Sequence, residues 1–346
     1  MSRGWIPVLG WVMIALLLRC VDASAQSEAF QPVPENRLIQ FSASDGTRIP
    51  IRFWGNLHEP TQIILGVHGF SDYARGFSHL IQALDPEGRR LLVAFDQRGF
   101  GEQASRGQWS GVERMVDDLT EILVYLSSQY PNRPLHVIGE SMGAALILVA
   151  MHQTQSASFF ALDSLAREKR TARVQSSVLL APAVWGWSSM PWYQRYGLKL
   201  LHQLAADMTL SSRHARDLGV RPTDDGAVAS YLARDPLMLR DIRVSMLAGL
   251  TDLMDNASAL MPAAGHRSLI VLGTRDEVIP KVAYCHWLGQ SKAPASSRWF
   301  IQDEGFHMLT RQTRRKEIIQ LLQTFWDHPQ KLTTPSEAPQ QALKCT

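Results

Sequence analysis

Apolar positions follow two rhythms between Leu38 and Phe325. Short continuous runs recur at Gln62 to Val67, Leu91 to Phe95, Leu135 to Ile138, Ser177 to Leu180, Ser268 to Leu272 and Arg298 to Ile301. A strand covered on both faces needs such a run, so these predict central parallel strands. Between them the spacing turns helical. Met115, Leu119, Ile122, Leu123 and Leu126 form one stripe; Phe77, Leu80, Ile81 and Leu84 form a second; Ile318, Leu321, Leu322 and Phe325 form a third. Ahead of this alternation, Leu38 to Ser42 and Ile49 to Trp54 flank Asp45-Gly46, the signature of a hairpin. The pattern predicts an open α/β sheet, mostly parallel with an antiparallel N-terminal hairpin, and helices on both faces.

The rhythm breaks between Ala183 and Gly265, where no strand is evident and Trp-, Met- and Leu-rich helical segments fill the gap. That is too long for a loop in a compact domain. It predicts a helical cap insertion over 185–265 at one edge of the sheet, with the core formed by 37–184 and 266–328. The segment 329–346 shows no periodicity and is expected to be a disordered tail. At the other end, Arg3 precedes an apolar run from Trp5 to Leu18 and then Ala23-Ser24-Ala25. This reads as a signal peptide over 1–25 that directs export to a periplasmic or secreted location. Two alternatives are a retained membrane anchor and lipidation at Cys20, although Arg19 stands where a small residue is expected.

Composition narrows the classes. The chain has 346 residues, 45% hydrophobic and 19% charged, with a formal net charge of +3. Basic clusters at Arg167 to Arg173 and Arg314 to Lys316 read as solvated helix surfaces, so no nucleic-acid partner is expected. Beyond Cys20 only Cys285 and Cys345 remain, too few for a disulfide scaffold. No His-Glu-x-x-His, Cys-x-x-Cys or Walker pattern occurs, and the Gly99-Phe100-Gly101 turn lacks the continuation of a nucleotide loop, so neither a metal nor a cofactor is implied.

The chemistry gathers where strands end. Gly139-Glu140-Ser141-Met142-Gly143 lies between the strand Leu135 to Ile138 and an apolar helical stretch from Ala144 to Met151. Gly139 and Gly143 permit a sharp strand-to-helix turn that lifts the Ser141 hydroxyl above the sheet. A serine needs a base to act as a nucleophile. His307, just past the last strand, is the candidate. Asp276, after the penultimate strand, is the candidate acid, with Glu277 and Asp303 as alternatives. His68-Gly69-Phe70 follows the first central strand. There Gly69 allows close backbone approach, and the N–H groups of Phe70 and Met142 are candidate oxyanion donors.

Together with Asp96 to Gly101, Asp235-Pro236-Leu237, Gly273 to Pro280 and Gly305-Phe306-His307, these motifs resemble the monoacylglycerol lipase and lysophospholipase group of serine α/β-hydrolases. That group is also classified with S33 serine aminopeptidases. The resemblance spans roughly Leu38 to Trp326. It implies the α/β-hydrolase fold, hydrolysis of a small lipid or other ester through an acyl-enzyme on Ser141, and a cap over an acyl pocket. Two positions depart from the group: Glu140 replaces the usual histidine and Ala144 the usual second glycine. Two other readings stay open. An aminopeptidase needs an acid for a free amine, for which Asp235, Asp241 and Asp252 are candidates. A non-catalytic binding protein on the same fold is the other. Trp187, Met190, Trp192, Tyr193 and Tyr196, with Met238, Met246, Met254 and Met261, form either cap core, an acyl tunnel or a membrane-facing surface.

Overall fold

The computed structural model describes residues 30–153, 157–160, 174–211, 220–290, 294–332 and 338–345. The expected signal segment, Cys20 and the whole basic cluster at 167–173 lie outside these residues. Ten strands are present among them: β1 (Arg37–Ser42), β2 (Arg48–Gly55), β3 (Ile63–Val67), β4 (Leu91–Phe95), β5 (Leu135–Glu140), β6 (Val174–Leu180), β7 (Thr209–Ser211), β8 (Asp241–Arg243), β9 (Arg267–Gly273) and β10 (Ser297–Gln302). Eight form one sheet in the order β1-β2-β4-β3-β5-β6-β9-β10. β1 and β2 pair antiparallel, with Gly46 in the left-handed region at the turn between them (φ +83°), and β2 is antiparallel to β4. The remaining neighbours are parallel.

Alternate residues of the buried strands feed two cores. Ile64, Leu92, Ile138 and Val271 pack with α1 (Ser78–Leu84) and, near the chain end, α8 (Arg315–Asp327). Leu65, Val93, Val137 and Ile270 face the opposite side, with α2 (Val112–Gln129) and α3 (Met142–Ala150). All nine residues of α3 are buried, because this helix is apolar around its whole circumference.

The segment from β6 to β9 carries α4 (Trp192–Ala205), α5 (Gly226–Arg234) and α6 (Val244–Ser258). Three expectations change here. First, the segment is not wholly helical, since β7 and β8 form a small antiparallel sheet. Strands of three residues are too short to show alternation in sequence. Second, the insertion leaves β6 and returns to β9, its parallel neighbour, so it rises from within the sheet rather than beside an outer strand. Third, α6 belongs to the core: Met246, Leu250 and Met254 are buried in the same cluster as α3. All four methionines of the Met238 to Met261 stripe are buried.

The C-terminal tail also differs from the expected disorder. Pro329–Lys331 and Pro339–Ala342 form single helical turns, and Cys345 is disulfide-bonded to Cys285 on α7 (Lys281–Gln290). Gln340 Nε2 donates to Leu288 O at 2.7 Å, and Leu343 is buried. A tail without periodicity gains order here from a covalent anchor on another helix.

Candidate active site

Strand register brings the candidate groups together. β3 and β5 are parallel neighbours with Val67 opposite Gly139. Gly69-Phe70 and Glu140-Ser141 therefore leave the sheet side by side. A Cβ on Gly69 would lie only 3.3 Å from Ser141 Cβ. β9 and β10 are likewise parallel, with Gly273 opposite Gln302, so the loops carrying Asp276 and His307 emerge together. Their backbones touch, since a Cβ on Gly273 would meet Gly305 O at 2.2 Å.

Ser141 occupies a strained turn. Its φ is +55° and ψ −114°, a region an L-residue enters at a cost of about 1–3 kcal/mol. The turn is held by Ser141 N–H donating to Leu180 O at 2.9 Å, and by Ser141 O accepting from Ala145 and Ala183 amides. Gly143 sits against β3 so closely that a Cβ would lie 1.9 Å from Val67 O. Position 143 is thus restricted to glycine by the approach of another backbone.

His307 is buried, and its Nδ1 is hydrogen-bonded to Asp276 Oδ2 at 2.8 Å. Asp276 is itself fixed. Its Oδ1 accepts the Val278 and Ile279 amides at 2.8 and 2.9 Å, and its Oδ2 accepts the Tyr284 hydroxyl at 2.8 Å. Burial and the Asp276 charge raise the Tyr284 pKa well above its ordinary value, so this phenol stays a donor. The two alternative acids face elsewhere. Glu277 pairs with Arg221 at 3.0 Å, and Asp303 accepts from Thr274 Oγ1.

Both ring nitrogens of His68 are engaged with neighbouring backbone. Its Nε2 accepts the Gln97 amide at 3.0 Å, so its Nδ1–H donates to Gly69 O at 2.8 Å. Burial lowers its pKa and keeps it neutral. Among the described residues, neither the Phe70 nor the Met142 amide donates to a turn or loop carbonyl.

Ser141 and His307 line one cavity of about 50 Å³ with Phe70, Trp185, Leu250, Met254 and Ile279. Asp235, Asp241 and Asp252 do not line it. Asp235 instead accepts from the Tyr73 and Tyr231 hydroxyls at 2.6 and 2.8 Å, and Asp252 from Trp187 Nε1 at 2.6 Å. Two other acids do line it, Glu140 and Asp72, both paired with buried Arg311. Sequence reasoning missed this group. Arg311 lies in a polar stretch that resembles a solvated helix start, and no local spacing ties it to either acid.

Comparison with known proteins agrees with this construction. Residues 58–314 match the family model described as serine aminopeptidase, S33. The monoglyceride lipase of Mus musculus is 24% identical over 299 residues, covering 84% of this chain and 90% of its own. The monoacylglycerol lipase of Mycolicibacterium smegmatis is 24% identical over 245 residues, covering 69% of this chain and 79% of its own. A soluble variant of the Saccharomyces cerevisiae monoglyceride lipase, solved with a substrate analogue, superposes with a TM-score of 0.63 at 17% identity, covering 88% and 98% of the two chains. Strand order, nucleophile turn and family match converge: the chain belongs to the serine aminopeptidase S33 family and is an α/β-hydrolase of the monoacylglycerol lipase group.

Proposed function

We propose that this protein hydrolyses monoacylglycerols or lysophospholipids through an acyl-enzyme on Ser141. Ester hydrolysis is its activity at the coarser level. The observation that carries the reading is the strained Ser141 turn sharing a cavity with a His307–Asp276 pair. With Nδ1 bound to Asp276, His307 has Nε2 free to take the Ser141 proton as the hydroxyl attacks the ester carbonyl. The imidazolium then returns that proton to the leaving alcohol, and Asp276 stabilises its charge. The Phe70 and Met142 amides receive the developing oxyanion, each worth about 3–4 kcal/mol in the transition state. Water repeats the sequence to release the fatty acid.

The cavity has room for only a few water molecules. A long acyl chain therefore requires the cap to yield, and activity against esters of graded chain length reads how far it does. The aminopeptidase reading loses its candidate amine site, because none of the three cap acids reaches the cavity and the two acids that do are held by Arg311.

Export and a lipid surface belong to the same proposal. The basic start, apolar run and Ala23-Ser24-Ala25 support a signal peptide, and the Cys285–Cys345 disulfide suits an oxidising compartment. Trp192, Tyr196, Leu200 and Leu204 are exposed at four-residue intervals along α4, with Arg195 and Lys199 between them. That combination of apolar and basic groups supports contact with lipid.

Fluorophosphonate labelling with mapping of the adduct tests the chemistry. Ser141 is expected to carry the label, and Ser141→Ala to lose both label and turnover. A panel of monoacylglycerols, lysophospholipids and aminoacyl amides tests the substrate, and a preference for the amides would overturn the lipase reading.

A further inference from the structure

We propose that Arg311 is a positioning residue that holds the oxyanion loop, the nucleophile turn and the base loop in one register. The proposal rests on the Ser141 reading above. Arg311 Nη2 lies 2.6 Å from Asp72 Oδ2 and 2.5 Å from Glu140 Oε2, and all three side chains are at most 5% exposed. Asp72 stands two residues after Phe70. Glu140 immediately precedes Ser141. Arg311 follows His307 by four residues, and its amide donates to Met308 O at 2.8 Å. One guanidinium nitrogen therefore ties together the segments that supply donor, nucleophile and base. A fourth segment joins at the cap, where Thr223 Oγ1 donates to Arg311 O at 2.6 Å.

The local backbone makes room for the cluster. A Cβ on Gly76 would lie 2.6 Å from Asp72 Oδ2, so glycine there leaves the carboxylate its space. Burial opposes the charge on Arg311, yet Asp72 and Glu140 hold its pKa above the ordinary arginine value. It stays a cation.

Stability alone does not account for this cluster. Two carboxyl groups share one guanidinium nitrogen in the interior. Arg311 Nε and Nη1 and Glu140 Oε1 find no protein partner, and Asp72 Oδ2 meets Arg311 Nη2 as an ion contact without hydrogen-bond geometry. Buried ion clusters of this kind are often replaced by apolar side chains at no loss of stability. What an apolar replacement does not supply is a charged tie between three loops at once, directional at Glu140. A displacement of about 1 Å among reacting groups costs roughly 100-fold in rate. The cluster supplies alignment on that scale.

Arg311→Met alone leaves two carboxylates buried and unpaired, so it is expected to unfold readily. The decisive protein is the neutral triple variant Asp72→Asn, Glu140→Gln, Arg311→Met, with Arg311→Lys as the second. The triple variant is expected to fold cooperatively, with a denaturation midpoint at or below that of wild type because its two new amides are buried beside a methionine. Its kcat is expected to fall at least 100-fold with KM within threefold, and fluorophosphonate labelling of Ser141 to slow in parallel. Arg311→Lys keeps charge, but its shorter chain does not bring a nitrogen to the position of Nη2 between the two acids, and a kcat loss of tenfold or more at unchanged KM is expected. If the triple variant does not fold, Arg311→Lys decides by that same criterion. Losses under tenfold in the folded variants overturn the proposal. Should wild type itself fail to label at Ser141, the esterase reading falls instead; labelled wild type with equally fast variants sinks only the positioning of Arg311.

Discussion

Gly143→Ala is the smallest change that tests whether the nucleophile turn and the oxyanion loop act as one unit. The added Cβ would lie 1.9 Å from Val67 O, 2.5 Å from Val67 C and 2.8 Å from His68 O. All three are backbone atoms, so no side chain can swing aside. Reaching even 3.0 Å from Val67 O requires α3 and the end of β3 to part by about 1.1 Å. That separation moves Met142 N–H away from Phe70 N–H, the two groups that would share one oxyanion. A shift of that size costs roughly 100-fold in rate, and loss of one donor costs about 10²–10³-fold, so kcat is expected to fall by at least 100-fold. Overpacking is expected to cost about 1–3 kcal/mol of stability. Gly197→Ala is the control, because the same methyl on α4 has no atom within 4 Å, and helix propensity predicts a gain of about 0.5–1 kcal/mol. Steady-state hydrolysis of a short p-nitrophenyl ester and urea unfolding measure both. A Gly143→Ala enzyme with kcat within threefold of wild type would refute the reasoning.

Acid should weaken the fold in a defined window. Burial pushes His136 down to about 3, from 6.5 in the unfolded chain, while Ser176 Oγ lies 2.8 Å from its Nδ1. Between those values the unfolded chain binds a proton that the folded chain refuses. Stability therefore rises with pH through the window and is fully present above about 6.5, with a slope near 1.4 kcal/mol per pH unit for this residue. Burial shifts His68 the same way. Urea titrations from pH 7 to 5 are expected to show the loss, and His136→Gln to lessen its slope; a flat profile contradicts it. Cys345→Ser opens a link spanning 60 residues, for which chain entropy gives a loss of up to about 4 kcal/mol. Unfolding of wild type with and without reductant should reproduce the difference, and equal midpoints would show that the bond constrains nothing. Glu140→His installs the residue usual in the resembling group. It is expected to lower kcat more than Glu140→Gln, because the glutamine amide oxygen keeps the reach of the carboxylate and can still accept from Arg311 Nη2, whereas an imidazole ring does not reproduce that reach. Equal kcat in the two variants would argue against that coupling.

The legible parts of this fold were those specified by neighbours in sequence. Leu91 to Phe95 became β4 with the same limits, because an unbroken apolar run has one way to be covered on both faces. The turn at Ser141 was visible because two glycines, a strand and a helix start lie within a few residues. Elements whose cause is distant were not visible. Glu140 and Arg311 are 171 residues apart, and neither shows in its own segment why it is charged and buried. The same applies to Cys285 and Cys345, and to Met246 and Met254, whose helical spacing fits a cap lining as well as the core they join.

This division bears on how the site is built. Motif spacing specifies which groups the proposed mechanism uses, since Ser141, Asp276 and His307 each sit at the end of a strand whose run is readable. It does not specify their mutual distances, which depend on contacts between loops. Asp276 is held by its own turn through the Val278 and Ile279 amides, so its placement is nearly local. Ser141 and His307 have no such shared turn. Their loops meet through Arg311 against Glu140 and Asp72, while Gly273 against Gly305 joins the Asp276 loop to the His307 loop. The departure from the group's usual histidine at position 140 thus falls on the residue that joins the Ser141 turn to the loop of Arg311 and His307. A change there leaves every reacting atom in place in the sequence and alters the contact that sets their spacing.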